Sequence, residues 1–229
     1  METAPHGSDA RGARAPRRRR ASHSLEAVVA ASVAILDESG EDALTFRALA
    51  ARLGGGVGSI YWYVSSKDEL MARAADQVLE GVLLRTDAVA AGSGDAIAAL
   101  REIAVTLYEE IVDRPWLGAF FLRDTDVQPN GLRLFERVGQ QLMRMELTPS
   151  QMLDGVTAVM GFVIGVASDR GQDAERADDG TPPWEGLEAA EYPFLFAMRD
   201  QFLLHDDRAQ FLAGLELILS GLQLQSGRA

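Results

Sequence analysis

Residues 45–70, TFRALAARLGGGVGSIYWYVSSKDEL, constrain the chain more than any other stretch, because three consecutive glycines separate two apolar stripes of helical period. Phe46, Leu49, Ala50 and Leu53 fall at i, i+3, i+4 and i+7, which is one face of a helix. Thr45 precedes them as an N-cap, and Gly54 follows where a chain leaving a helix commonly needs positive φ. Val57, Ile60, Tyr61 and Val64 then repeat the spacing. A helix, a tight glycine turn and a second helix is the helix-turn-helix pattern, whose second helix enters the DNA major groove.

The flanks extend this unit. Ser24 caps a helix over 25–39 with Leu25, Val28, Val29, Val33 and Leu36 inward, and Gly40 stops it. Ser66, Lys67, Asp68 and Glu69 form a capping box that opens a fourth helix. Its apolar positions Leu70, Ala74, Val78, Leu79 and Val82 continue without a linker, so this helix runs as a rod into the rest of the chain.

Downstream, Ile97, Leu100, Ala104, Leu107, Tyr108 and Ile111 make one helical stripe. Pro115 begins a short segment, PWLGAFFL, and Leu132, Phe135, Val138 and Leu142 make another stripe. Thr148, Pro149, Ser150 and Gln151 form a second capping box with proline at N1. It launches a helix over 150–167, and residues 169–183 read as a loop. A segment over 192–204 and a helix over 207–223 complete the chain. No alternating run of strand length occurs.

The expected fold is all-α: a three-helix DNA-binding domain at 23–68 and a larger helical effector-binding and dimerisation domain at 69–225. The helix over 150–167 and the last helix are apolar nearly all round, so each is buried on more than one side. The expectation is a face that pairs with its copy as a four-helix bundle, giving a homodimer. Met152, Gly155, Val159, Val163, Phe211, Leu215, Ile218 and Leu222 are the candidate interface residues.

Charge supports a nucleic-acid partner once it is mapped. The net charge is −12, yet the first twenty residues hold six arginines against Glu2 and Asp9, a local +4 that leaves −16 for the remainder. Residues 1–22 have no periodicity and read as a disordered basic arm, with Arg17, Arg18, Arg19 and Arg20 as candidate phosphate or minor-groove contacts.

Other functions are disfavoured. The arginines followed by LEAVVAASVAIL mimic a signal peptide, but Glu26 interrupts the apolar run and no cleavage site follows. No apolar run approaches the ~18 residues of a membrane span, and Cys 0 fits a reducing cytoplasm. Three histidines (His6, His23, His205) without cysteine or an H-E-x-x-H motif assemble neither a metal site nor a nucleophilic triad. GGGVG follows a helix and lacks dinucleotide-fingerprint spacing. No enzyme activity, cofactor, metal or membrane partner is expected.

The segments DESGEDALT, FRALAARLG, SIYWYV and SSKDEL, in this order and spacing, resemble the TetR (tetracycline-repressor) family of bacterial transcriptional regulators. The resemblance covers residues 25–79 closely and the remainder only as a helical domain with an apolar last helix. It implies that Thr45, Tyr61 and Lys67 contact the DNA backbone, with Arg47 a further contact. Gly58, Ser59, Trp62 and Tyr63 are the outward positions of the recognition helix. Tyr63 stands where many members have His, and Val64 where many have Phe. Residues 54–64 contain no Arg, Lys, Asn or Gln, the side chains that read bases bidentately.

The resemblance also implies a small apolar or aromatic effector in the C-terminal domain that weakens binding to a palindromic double-stranded operator. Trp116, Phe120, Phe121, Met143, Met160, Phe162, Trp184, Tyr192 and Phe196 are the candidate lining residues. The expected function is a ligand-responsive repressor. The alternative is a helical protein-interaction module whose arginine arm binds nucleic acid nonspecifically.

Overall fold

The computed structural model describes residues 23–92, 94–123, 128–173, 185–204 and 206–227, without the side chains of 171–173 and 203. The arm and its arginines, Trp184 and His205 lie outside the described residues. Within them the chain is helical, with no strand.

The first three helices are α1 (Leu25–Ala43), α2 (Phe46–Arg52) and α3 (Val57–Ile60). Ser24 Oγ caps α1 by accepting from Ala27 N. Gly40 does interrupt the regular helix, at φ 72°, but one further turn follows to Ala43. That turn carries Glu41 back toward the rest of the molecule. Val28, Leu36, Leu49, Ile60 and Val64 are the buried floor on which the three helices meet.

Helix α4 (Lys67–Ala91) is the expected rod, about 37 Å long at 1.5 Å per residue. It packs on α1 at one end and on α5 (Ala96–Val112), α6 (Pro115–Arg123) and α7 (Pro129–Leu142) along its length. Leu70, Ala74 and Val82 are fully enclosed, so a single core runs from the N-terminal unit into the larger domain. The α7 stripe is rotated from the sequence expectation. Leu132 and Phe135 are exposed, while Asn130, Leu134, Val138, Gln141 and Leu142 are buried. The two polar residues hold inward positions because α4 satisfies them: Asn130 Nδ2 donates to Asp76 O and Oδ2, and Gln141 Nε2 donates to Ala90 O.

Helix α8 (Pro149–Asp173) continues past residue 169, where the sequence predicts a loop. Over Pro149–Arg170 it has the length and apolar composition of a membrane span, contrary to the sequence reading. Here it is the central strut of the domain: Val156, Val159, Val163 and Ala167 are buried, and the helix packs on α5, α6, α7 and α10 (Asp207–Ser226). Helix α9 (Pro193–Leu203) has no buried residue among those described and exposes Phe194 and Phe202.

The candidate interface residues on α8 and α10 require correction. Gly155, Val159, Val163, Phe211, Leu215 and Leu222 are buried inside the protomer itself, and Met152 and Ile218 are half-buried. A helix apolar all round carries no phase in its sequence; close approach sets it. A Cβ on Gly155 would lie 2.9 Å from Leu222 Cδ2, and one on Gly214 2.5 Å from Phe162 Cζ. The outward stripes are Leu153, Thr157, Gly161 and Gly165 on α8, and Ala213, Leu217, Ser220 and Leu224 on α10.

Candidate nucleic-acid interface

The recognition unit is built from local devices. Thr45 Oγ1 accepts from Ala48 N at 3.1 Å and caps α2. At the other end Gly54 adopts φ 68°, with Gly55 N donating to Ala50 O and Gly54 N to Ala51 O, a paired closure that satisfies the last carbonyls. Helix α3 is only one turn long, and its end is tightened by Val64 N donating to Ile60 O.

This compactness decides what points outward. Ile60 and Val64 are buried, so Val57, Gly58, Tyr61 and Trp62 form one exposed facet. Trp62 is 88% exposed and Tyr61 58%, and the Tyr61 ring stacks on Phe46 with centroids 4.5 Å apart. Ser59 is half-buried, and its Oγ donates to Gly56 O at 2.6 Å.

Tyr63 is not on this facet. It is half-buried and its hydroxyl donates to the carbonyl of His23, because the chain entering α1 crosses directly behind α3. Gly55 lies against that crossing, where a Cβ would sit 2.7 Å from the tip of the His23 imidazole. Tyr63 thus fastens the turn after α3 to His23, just ahead of the α1 cap, a role the sequence reading missed.

Lys67 is the first residue of α4, where the helix dipole favours an anion. Ser66 Oγ accepts from Glu69 N, while the Glu69 carboxylate accepts from Ser65 N and Ser65 Oγ and pairs with Arg73. The Ser65 amide, then Arg73, pull the Glu69 carboxyl down to about 2. Lys67 Nζ lies 3.8 Å from Glu41 Oε1, a loose and partly exposed pair that leaves the ammonium accessible. Thr45 and Arg47 are exposed at the start of α2.

The turn around Gly40 links this unit to the larger domain. Arg123 of α6 pairs with Glu41 at 2.5 Å and, ahead of Lys67, holds its carboxyl below the usual range. Asp37 accepts from the Trp116 indole at 2.8 Å and from Arg114 at 3.3 Å. Glu38 pairs with Arg52 of α2, which lowers its carboxyl likewise. A cavity of about 560 Å³ lies along this seam, lined by Leu36, Asp37, Glu41, Trp116, Ala119 and Arg123. Nothing in the acidic run DESGED announces partners on α6 and just before it, 77 to 82 residues away.

Among the described residues, the candidate effector positions do not converge on one cavity. Trp116 belongs to the α1–α6 seam through its bond to Asp37. Phe162 stacks with Phe211, which in turn stacks with Tyr108 at 3.8 Å, so it joins α8 to α10 and α5. Met143 is 70% exposed at the end of α7. Tyr192 is exposed as the N-cap residue of α9, and Phe196 and Met160 are half-buried. Phe120 and Phe121 are neighbours on α6 with ring centroids 5.9 Å apart.

Comparison with known proteins agrees with this architecture. The family model for bacterial regulatory proteins of the tetR family matches residues 28–74, and that for the tetracyclin repressor-like C-terminal domain matches residues 90–226. An HTH-type transcriptional regulator of Saccharopolyspora erythraea is 30% identical over 206 residues, 87% of this chain and 84% of that protein. Among solved structures, a TetR transcriptional regulator of Streptomyces coelicolor superposes with a TM-score of 0.76 at 34% identity, covering 89% of this chain and 99% of that one. ActR of the same species, in complex with actinorhodin, gives a TM-score of 0.75 at 25% identity, covering 90% and 98%. Both halves are matched in order and the exposed recognition facet is in place: the chain belongs to the TetR family of bacterial transcriptional regulators.

Proposed function

We propose that the protein is a homodimeric, cytoplasmic repressor that binds a palindromic operator and is released from it by a small molecule. The observation that carries the reading is the recognition facet. Two aromatic side chains, 58% and 88% exposed, stand on a unit whose inward residues are fully enclosed. Trp62 contributes nothing to such a core, and exposed aromatics side by side mark a contact surface. Thr45, Arg47, Gly58, Ser59, Tyr61, Trp62 and Lys67 are the proposed DNA-contacting residues, extended by Arg17, Arg18, Arg19 and Arg20 of the arm. Residues 23–68 form the DNA-binding domain, and 69–225 the effector and dimerisation domain.

Dimerisation is assigned to the outward stripes of α8 and α10. Leu217 and Leu224 are 78% and 58% exposed there, and Gly161, Gly165 and Gly221 have open space above them. Two such stripes from each protomer pack as a four-helix bundle around a two-fold axis. A two-fold dimer presents two recognition helices, which is why the operator is expected to be palindromic.

A family member bound to actinorhodin supports a small-molecule effector in the C-terminal domain. The α1–α6 seam is the route by which that domain acts on the DNA-binding unit. An effector releases DNA only if it binds the DNA-free form more tightly, and the coupling is reciprocal.

The test is selection of bound sites from random duplex DNA with the full chain and with Tyr61→Ala. The expected result is an enriched palindrome that the variant no longer selects. Binding that enriches no sequence and disappears at moderate salt would leave only phosphate attraction and refute the reading.

A further inference from the structure

The recognition facet specifies more than DNA in general. Base pairs are normally distinguished in the major groove by side chains that donate and accept in pairs, such as Arg to guanine or Asn and Gln to adenine. The outward facet of α3 and its following turn has none of these. It presents the isopropyl group of Val57, the bare Cα of Gly58, and the rings of Tyr61 and Trp62. Of the three nearby hydroxyls, Ser59 Oγ donates to Gly56 O and Tyr63 donates to the His23 carbonyl, while the Tyr61 ring is stacked on Phe46 and its hydroxyl is assigned to the phosphate backbone; Trp62 offers one indole N–H, a single donor that makes no paired contact.

A mainly apolar facet with one indole N–H, pressed on a G·C pair, strips water from the guanine N7 and O6 and the cytosine amino group and replaces at most one of their hydrogen bonds. Pressed on an A·T pair, it meets the one apolar group the groove contains, the thymine C5-methyl. Gly58 adds room, since no heavy atom lies within 4 Å of where its Cβ would stand. That leaves room for the backbone of the turn to approach a groove floor between Val57 and Trp62.

We propose that this protein reads its operator through thymine methyl groups, with Val57 and Trp62 as the specificity-determining residues and a thymine-rich segment at the centre of each half-site. The inference rests on the regulator reading above and names the DNA chemistry that reading leaves open.

Replacing thymine by deoxyuridine removes the methyl and leaves base pairing unchanged. Burying one methyl group is worth about a fourfold change in affinity at the standard apolar increment. The experiment uses the full chain and the selected duplex, with each half-site thymine replaced singly by deoxyuridine, and compares wild type with Val57→Ala and Trp62→Ala. Trp62 is 88% exposed, so its truncation leaves the fold intact, which circular dichroism checks.

The expected result is a loss of about fourfold at one or more thymines of each half-site in wild type. That loss should shrink or vanish in the variant that no longer touches the methyl. A selected site that binds equally well with uracil at every position would overturn this inference and leave the regulator reading standing. A selection that enriches no site would overturn both.

Discussion

Gly118→Ala tests whether the larger domain is mechanically joined to the recognition unit. Gly118 sits at the crossing of α6 over α8, where an added Cβ would lie 3.0 Å from Ser168 Cα, 2.9 Å from Ser168 Oγ and 3.1 Å from Ile111 Cγ2. The first of these atoms is backbone, so no rotamer change relieves the clash with it. Overpacking of a closed core by one methyl costs about 1–3 kcal/mol. Taking the middle of that range, about 2 kcal/mol, the thermal midpoint of a chain this size falls by roughly 4–8 °C.

The consequence for function follows from what α6 carries. Trp116, with Arg114 just before the helix, holds Asp37, and Arg123 holds Glu41, so lifting α6 off α8 pulls on the last turns of α1. Operator affinity should fall together with the midpoint, without any change at the DNA surface. Ser168→Ala in the same chain removes the hydroxyl but leaves the α8 backbone where it was, so it should restore only part of the loss. Alone, Ser168→Ala should be neutral or stabilising, because the buried Oγ has no hydrogen-bond partner. Scanning calorimetry and fluorescence anisotropy on the selected operator measure the two effects. An unchanged midpoint with unchanged affinity would refute the close crossing. A lowered midpoint with full affinity would refute the mechanical link.

Three further outcomes are expected. Lys67→Ala should weaken binding on every duplex and lower the salt slope by about 1, because the residue offers one charge to a phosphate; a loss confined to the selected site would refute that role. Leu217→Glu should yield a folded monomer in analytical ultracentrifugation, while Leu215→Glu, at a fully buried position, should fail to fold; a dimeric Leu217→Glu protein would move the interface elsewhere. Glu69 has a carboxyl held at about 2, against 4.5 ordinarily, so its contribution to stability is complete above pH 4.5 and is lost as pH falls toward 2. The gap in urea midpoint between wild type and Glu69→Gln should accordingly be widest near pH 5 and close toward pH 2, and a gap that widens in acid would contradict the assigned bonds.

How far the sequence can be read depends on the distance between partners. The helix-turn-helix unit uses devices whose two ends lie within five residues: the Thr45 cap on Ala48, the Gly54 closure, the Ser66 cap on Glu69. Periodicity and capping rules see such pairs directly. Tyr63 reads as outward because its partner, His23, lies 40 residues upstream, and nothing local distinguishes it from Trp62 beside it. The α7 stripe fails for the same reason, since Asn130 and Gln141 face inward only because α4, 51 to 54 residues away, supplies their acceptors.

The apolar helices α8 and α10 show the limit most clearly, because glycine has two opposite uses on them. Gly155 and Gly214 lie under Leu222 and Phe162 and bring the helices of one protomer together. Gly161, Gly165 and Gly221 face open space. One set fixes which side of each helix belongs to the protomer's own core, and so leaves the other set for the proposed second copy. In sequence the two sets are indistinguishable, both being small residues in an unbroken apolar run. The aromatic residues behave likewise: Trp116 closes the α1–α6 seam and Phe162 stacks into the core, so aromatic content alone could not locate an effector. Where every side of a helix is apolar, its phase comes from shape, and shape is a property of two helices together.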